Sequence, residues 1–265
     1  MLFQFGPGRS PRRRAFAAVA VGGLLVAGCA GPGETGLGLD LVSDEQVQQM
    51  GIETWQRIRS ETPASTNEQY QRTADRVAAD LLEAAGADPT DWEVVVFEGE
   101  QANAFALPGG KIGIYEGMLQ VTENEAQLAA VIAHEIGHLE AEHPQERVSS
   151  EVATQGAVQL VSAALQAGDL AYANVVAGAL GAGARYGVLL PYSRNQELEA
   201  DRMGLQLMAQ ADYDPREALE FWRRMQQQGD AEPPAFLSTH PGAGDRIEQL
   251  EELMPEALEA YRGDG

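Results

Sequence analysis

The stretch Ala133-His134-Glu135-Ile136-Gly137-His138-Leu139 decides how the rest of the chain is read. It lies in an apolar run with helical spacing that starts at Ala126. Residues four apart share one face of a helix, so His134 and His138 aim imidazole nitrogens at a single point while Glu135 sits one position round. Two neutral imidazoles converging beside a free carboxylate suit zinc. A catalytic zinc keeps three protein ligands and leaves the fourth place to water, whose pKa falls to about 7, where an adjacent carboxylate takes its proton. Only four histidines occur in 265 residues and two of them fill this pattern, which argues against coincidence.

His-Glu-x-x-His on a helix is the zincin pattern, and the third ligand decides the subclass. A metzincin needs glycine at 141 and histidine at 144, where Ala141 and Pro144 stand. His143 is five positions from His138, turns away from the metal face on a continuous helix, and reads as a helix-end histidine near the last carbonyls. A distant carboxylate is therefore required. Ser193-Arg194-Asn195-Gln196-Glu197-Leu198-Glu199-Ala200-Asp201 supplies one, with Glu197 and Asp201 four apart on one face. Glu197 can ligate the metal while Asp201 accepts a hydrogen bond from the far nitrogen of a liganding histidine. An acidic helix of this kind is by itself more often merely solvated, and only the histidine pair favours the ligand reading. Glu199 points elsewhere and reads as a surface residue.

Working outward, Ser43-Asp44-Glu45 opens a helix to Arg59, and Ser65 to Ala85 carries a second that stops at Gly86. Trp92 to Phe97 is rich in strand formers. Two further strands, Asn103 to Leu107 and Lys111 to Tyr115, are joined by Pro108-Gly109-Gly110. Helices are expected at Asn124 to Glu142, Gln145 to Leu165, Leu170 to Leu180, Arg194 to Ala209 and Pro215 to Gln228, with two short C-terminal pieces. This is an α+β layout, a mostly helical gluzincin-type domain with a small sheet beside the active-site helix. The apolar stretch Ala153 to Leu190 is interrupted by Asp169 and Arg185 and falls short of spanning length in either half, which favours buried or lid helices.

The formal charge is -22, and Lys111 is the only lysine. A phosphate backbone would be repelled by such a surface, which argues against nucleic acid as a partner. The scarce basic residues cluster at Arg9, Arg12, Arg13 and Arg14, ahead of an apolar run from Ala15 to Ala27 that is shorter than the roughly 20 residues of a membrane span. The run ends at Val26-Ala27-Gly28-Cys29, which looks like a bacterial lipobox. Residues 1–28 are thus expected to be a lipoprotein signal peptide, 29–42 a lipidated Cys29 with a Gly-rich tether, and 43–265 the catalytic domain. Cys29 is the sole cysteine, so no intramolecular disulfide can form.

Four blocks in order then carry a family resemblance: Asn103 to Gly110 (Asn-Ala-Phe-Ala-Leu-Pro-Gly-Gly), His134 to His138, Glu197 to Asp201, and Ser238-Thr239-His240-Pro241 with Arg246. The chain resembles metallopeptidase family 48, the HtpX and CAAX prenyl protease family, and especially its soluble periplasmic lipoproteins. The resemblance implies Glu197 as third zinc ligand and Asp201 as its neighbour in the outer shell. It also implies His240 and Arg246 near the metal, where a donor can stabilise an oxyanion, and Asn103, Ala104 and Phe105 on an edge strand that pairs with substrate. In some relatives the histidine equivalent to His240 takes the fourth zinc position and silences the enzyme. With alanine and glycine after Cys29 and no aspartate, the sorting rule of bacterial lipoproteins implies the outer membrane, facing the periplasm.

The expected function is a zinc-dependent endopeptidase that cuts misfolded or misassembled envelope proteins, held to a membrane by lipid. The alternative is a periplasmic chaperone or assembly factor with a latent, self-inhibited zinc site.

Overall fold

Three short β-rich segments pair first. In the computed structural model, which describes residues 42–150, 152, 192–229, 234–241 and 243–263, they form β1 (Glu93–Phe97), β2 (Ala104–Leu107) and β3 (Lys111–Tyr115). The signal peptide, Cys29, the tether and the apolar stretch 153–190 lie outside the described residues. The sheet order is β1-β3-β2, with β1 parallel and β2 antiparallel to β3. The hairpin between β2 and β3 turns through Gly109 and Gly110, both with positive φ, a conformation that costs glycine nothing.

The two sheet edges are treated differently. Along β1, the side-chain amide of Gln71 imitates a strand: its Nε2 donates to the Val94 carbonyl at 3.0 Å and its Oε1 accepts from the Val96 amide at 2.9 Å. The β1 edge is thereby covered, whereas β2 carries no strand on its outer side among the described residues.

Helix α1 (Asp44–Glu61) begins with a capping box between Ser43 and Gln46 and lays Trp55 against Phe97, ring centroids 5.6 Å apart, on one side of the sheet. Helix α2 (Glu68–Ala84), capped by Asn67, buries Ala74, Val77, Ala78, Leu81 and Leu82 in the main core. A short α3 (Glu116–Val121), not expected from the sequence, follows β3. Then α4 (Glu125–Glu140), capped by Asn124, is buried continuously from Gln127 to His138. A helix apolar on nearly every side belongs in the middle of a fold. Around it lie α2, the β2 strand, α5 (Arg194–Gln210) and α6 (Arg216–Gly229). The chain ends in α7 (Ala235–Thr239) and α8 (Ala243–Gly263).

The α+β layout is as expected; several element ends shift by one to three residues, and two of the differences have a clear physical cause. Helix α4 stops at Glu140 because Glu142 turns left-handed, with φ 56°. Of the two C-terminal pieces, the second is longer than expected, a helix of 21 residues that continues through Pro255. Proline breaks a helix when its missing N–H and ring clash matter, but Pro255 and Glu251 lie on the exposed face, where water satisfies the freed carbonyl. Leu250, Met254 and Ala257 stay buried on either side of it and hold the helix to the core.

Helices α4 and α5 approach closely through glycine. A Cβ on Gly204 would stand 3.2 Å from the His134 nitrogen, and one on Gly137 would stand 3.0 Å from the Ala200 carbonyl oxygen. Both neighbours are backbone and cannot swing aside. Gly204→Leu is expected to cost about 1–3 kcal/mol through overpacking, outweighing the helix propensity gained. Thermal or urea denaturation beside wild type checks this, and an unchanged midpoint would mean that the two helices are not locked at this distance.

Candidate active site

Helix α4 presents His134 and His138 on one face, and α5 faces it with Glu197 and Asp201. The first turn of α5 is fixed by a capping box in which the Gln196 amide donates to Ser193 Oγ and the Gln196 side chain accepts from the Ser193 amide. Glu197 therefore sits at the helix N-terminus, where the macrodipole favours an anion. His240 enters from the end of α7. Its amide donates to the Phe236 carbonyl at 2.9 Å, its ring stacks on Phe236 at 4.4 Å, and α7 is tied to the approach of β2 by Phe236 donating to the Ala102 carbonyl.

The resulting cluster is buried and tight. His134 Nε2 lies 3.0 Å from His138 Nε2 and 3.1 Å from His240 Nδ1, and His240 Nδ1 lies 3.1 Å from Glu197 Oε1. His138 Nε2 is 3.6 Å from Glu197 Oε1, and all four ligand atoms fall within 4.8 Å of one another. Three imidazoles and a carboxylate packed this closely have too few ring protons to satisfy every contact, so without an ion some lone pairs face lone pairs. Two ligands on one tetrahedral zinc, at bonds of about 2.0–2.1 Å, stand about 3.3–3.4 Å apart, close to the spacing here.

Charge leads to the same ion. Glu135, Glu197 and Asp201 bring three formal negative charges to the buried centre, and Arg246 brings one positive. The remainder matches a divalent cation. Glu135 Oε1 and Glu197 Oε2 are buried with no well-formed hydrogen bond, their nearest charged or ring partners being His240 Nε2 at 3.2 Å and Arg246 Nη1 at 2.7 Å, which leaves lone pairs on both for an ion. The donor set therefore fits zinc.

Burial opposes ionisation of Glu197, but the Arg246 guanidinium and hydrogen bonds from the three histidines outweigh it and hold the carboxyl far below the usual range. Asp201 is likewise held low by Arg246 against its burial. For His134, burial and Arg246 disfavour the charged ring, yet Asp201 and Glu197 prevail and raise its pKa. Burial takes His138 well below its ordinary value. His134 Nδ1 lies 3.1 Å from Asp201 Oδ1.

Glu135 stands beside the cluster. Its Oε2 accepts from the Ala106 amide of β2 at 3.3 Å, and its Oε1 lies 3.2 Å from His240 Nε2. The structure thus brings together His134, Glu135, His138, Glu197, Asp201, His240 and Arg246. Arg246 lies beneath the cluster: Nε donates to Asp201 Oδ2 at 2.6 Å, Nη1 is 2.7 Å from Glu197 Oε2, and the guanidinium lies 3.5 Å from the centroid of the Trp222 ring. Ala104 and Phe105 lie in the outer strand β2, with Asn103 just before it.

Three neighbours were missed in the sequence. His143, expected near the last helix carbonyls, instead returns to His138, Nδ1 to Nδ1 at 2.8 Å, because the left-handed turn at Glu142, worth about 1–2 kcal/mol of strain, reverses the chain. Glu199, read as a surface residue and indeed exposed, also has its Oε2 3.3 Å from His143 Nε2, a contact the sequence did not show. Tyr192 stacks on His138 at 3.8 Å, and burial pushes its hydroxyl up to about 12. The Ser193 cap one position later was the available signal for Tyr192, and nothing in the sequence marked the turn at Glu142.

The family model "Peptidase family M48" matches residues 64–254. Mitochondrial metalloendopeptidase OMA1 of Schizosaccharomyces pombe is 36% identical over 224 residues, covering 82% of this chain and 63% of the relative. Its namesake of Saccharomyces cerevisiae is 33% identical, with 68% and 55% covered. Beta-barrel assembly-enhancing protease of Escherichia coli K12 is 26% identical over 233 residues, with 82% and 47% covered. The chain spans under two thirds of the length of each of these relatives. With a matched model over most of its length and the buried His134, His138, Glu197 and His240 donor set inside it, the chain belongs to peptidase family M48, a family of zinc metallopeptidases.

Proposed function

We propose that this chain is an exported, lipid-anchored zinc endopeptidase that hydrolyses peptide bonds of misfolded or misassembled cell-envelope proteins. The observation that carries the peptidase reading is a carboxylate, Glu135, that stands outside the donor set yet beside a buried cluster that suits zinc. A structural zinc site has no use for such an acid. The envelope role draws support from the likeness to a protease named for β-barrel assembly, and from the Arg-rich, apolar lead into Cys29. On this reading residues 1–28 are a signal peptide, 29–42 a lipidated tether and 43–265 the peptidase, placed at the outer membrane facing the periplasm. Among the described residues no helix is long and apolar enough to cross a membrane.

His134, His138 and Glu197 would hold the metal. Zinc bound there supplies a Lewis acid for the scissile carbonyl and eases deprotonation of water. Glu135 Oε1 takes the proton of the attacking water and delivers it to the leaving amine, while the Ala106 amide fixes the other oxygen. Ala106 uses the outer side of β2, so an extended substrate laid along Asn103, Ala104 and Phe105 would run past Glu135. Asp201 holds His134, and Arg246 braces Asp201 and Glu197 from below.

One distance favours a latent resting state. His240 Nδ1 lies within the ligand cluster, where a fourth protein donor would take the place of water. The latent-protease reading, with chaperone-like binding as the resting task, rests on this contact.

Glu135→Gln is expected to keep one zinc per chain and to lose cleavage of an unfolded protein by 100-fold or more, in the range of about 10²–10⁴ for a general base. Equal cleavage by both proteins would remove Glu135 from the chemistry. His240→Ala is expected to raise kcat/KM by about 10–100-fold if the open state is about 1–10% populated. A fall instead would make His240 an oxyanion donor rather than a plug. Chelation of the zinc is expected to lower Tm, because the ion binds only the folded cluster and adds about 4 kcal/mol at a thousandfold excess over Kd. A scan with and without chelator reads this directly.

A further inference from the structure

His143 is fully buried, lies outside the donor cluster and takes no part in the chemistry above. Its Nδ1 is 2.8 Å from His138 Nδ1, and its Nε2 is 3.3 Å from Glu199 Oε2. With zinc held by His138, these contacts admit one consistent set of protons. His138 Nε2 faces His134 Nε2 and Glu197 in the cluster and offers its lone pair to the metal there. A neutral His138 then carries its proton on Nδ1 and donates to His143 Nδ1. His143, accepting on Nδ1, carries its own proton on Nε2 and donates to Glu199. The tautomers follow from the network.

We propose that His143 is a positioning residue for the metal, with Glu199 as its anchor: the pair fixes the tautomer and ring plane of His138, and so sets how tightly zinc is held. The inference rests on the reading of His138 as a zinc ligand. His134 has a carboxylate, Asp201, on its far nitrogen. His138 has an imidazole in the equivalent place, and the carboxylate stands one residue further out. Two other features agree. The left-handed turn at Glu142 serves to fold His143 back onto α4, and the Tyr192 ring lies flat on His138, at 3.8 Å and 18°, so that the imidazole is held both in its plane and across it. Glu199 lies on the exposed side of α5, its side chain 61% accessible, so it acts at the rim and its share of the effect is smaller.

The test is zinc affinity of the full chain, measured by competition with a chromophoric chelator, together with the melting temperature of the zinc-free protein. The proteins are wild type, His138→Ala, His143→Ala, His143→Gln and Glu199→Ala. His143→Ala is expected to weaken zinc about 10–100-fold, the usual cost of losing an outer-shell partner, with the zinc-free Tm little changed. His143→Gln should restore most of the affinity, since its amide accepts from His138 and donates to Glu199. Glu199→Ala should weaken zinc by less than ten-fold. Zinc held as tightly by His143→Ala as by wild type overturns the proposal. So does a loss shared equally by His143→Gln and matched by the fall in zinc-free Tm, which would make His143 a packing residue. If instead wild type binds no zinc, or His138→Ala binds it as well as wild type does, the zinc-site reading itself has failed.

Discussion

Everything around the site depends on how closely two backbones approach. Helices α4 and α5 meet where Gly137 faces Ala200 and Gly204 faces His134, and any side chain at either glycine would force them apart. That distance lets the short carboxylates of Glu197 and Asp201 reach the imidazoles of α4 directly. Small residues at a helix crossing are usually a matter of packing. Here the packing also sets the reach of the metal ligands, because a glutamate has no spare length to follow a retreating helix.

The second constraint is electrostatic. A fully buried charge costs several kcal/mol unless it is paired, and this centre holds three carboxylates. Arg246 answers two of them, forked onto Asp201 and set against Glu197, with its flat face on Trp222 instead of in water. The guanidinium stabilises the anionic state of both carboxylates before any ion arrives, so these two groups wait in the protonation state that a divalent cation needs. In this position Arg246 acts on the carboxylates and, through them, on the ion.

Much of this was legible in the sequence, for identifiable reasons. His134 and His138, and Glu197 and Asp201, are each spaced by four, and a 3.6-residue period turns that spacing directly into a shared face. Ser193 and Gln196 announce the start of α5, and the glycine pair after Pro108 announces the hairpin. What stayed hidden were features without a period. A non-glycine residue in the left-handed region, Glu142, cannot be foreseen from its side chain, so His143 was placed on the wrong side of the helix end. The length of the last helix was hidden as well, because the sequence does not reveal that the face bearing Pro255 is exposed. Which edge of the sheet stays free was equally hidden, since β1 is covered by the Gln71 side chain reaching across from α2 and by the backbone of Pro63 and Ser65.

The position of His240 bears on how a protease can be safe in a compartment full of protein. A zinc site with four protein donors is closed, and one with three is reactive. His240 belongs to neither of the helices that carry the other ligands. It is held by α7, a helix of five residues whose anchors are the ring of Phe236 and two backbone hydrogen bonds, Phe236 to the Ala102 carbonyl and Tyr192 to the Thr239 carbonyl, at the entry to the free strand β2. A ligand on so short an element can leave without disturbing α4 or α5. On the proposed reading, an extended chain adding itself to β2 would press on the segment that holds His240. Binding of substrate and release of the fourth donor would then be one event, with the differential contacts at the strand edge supplying the free energy for opening.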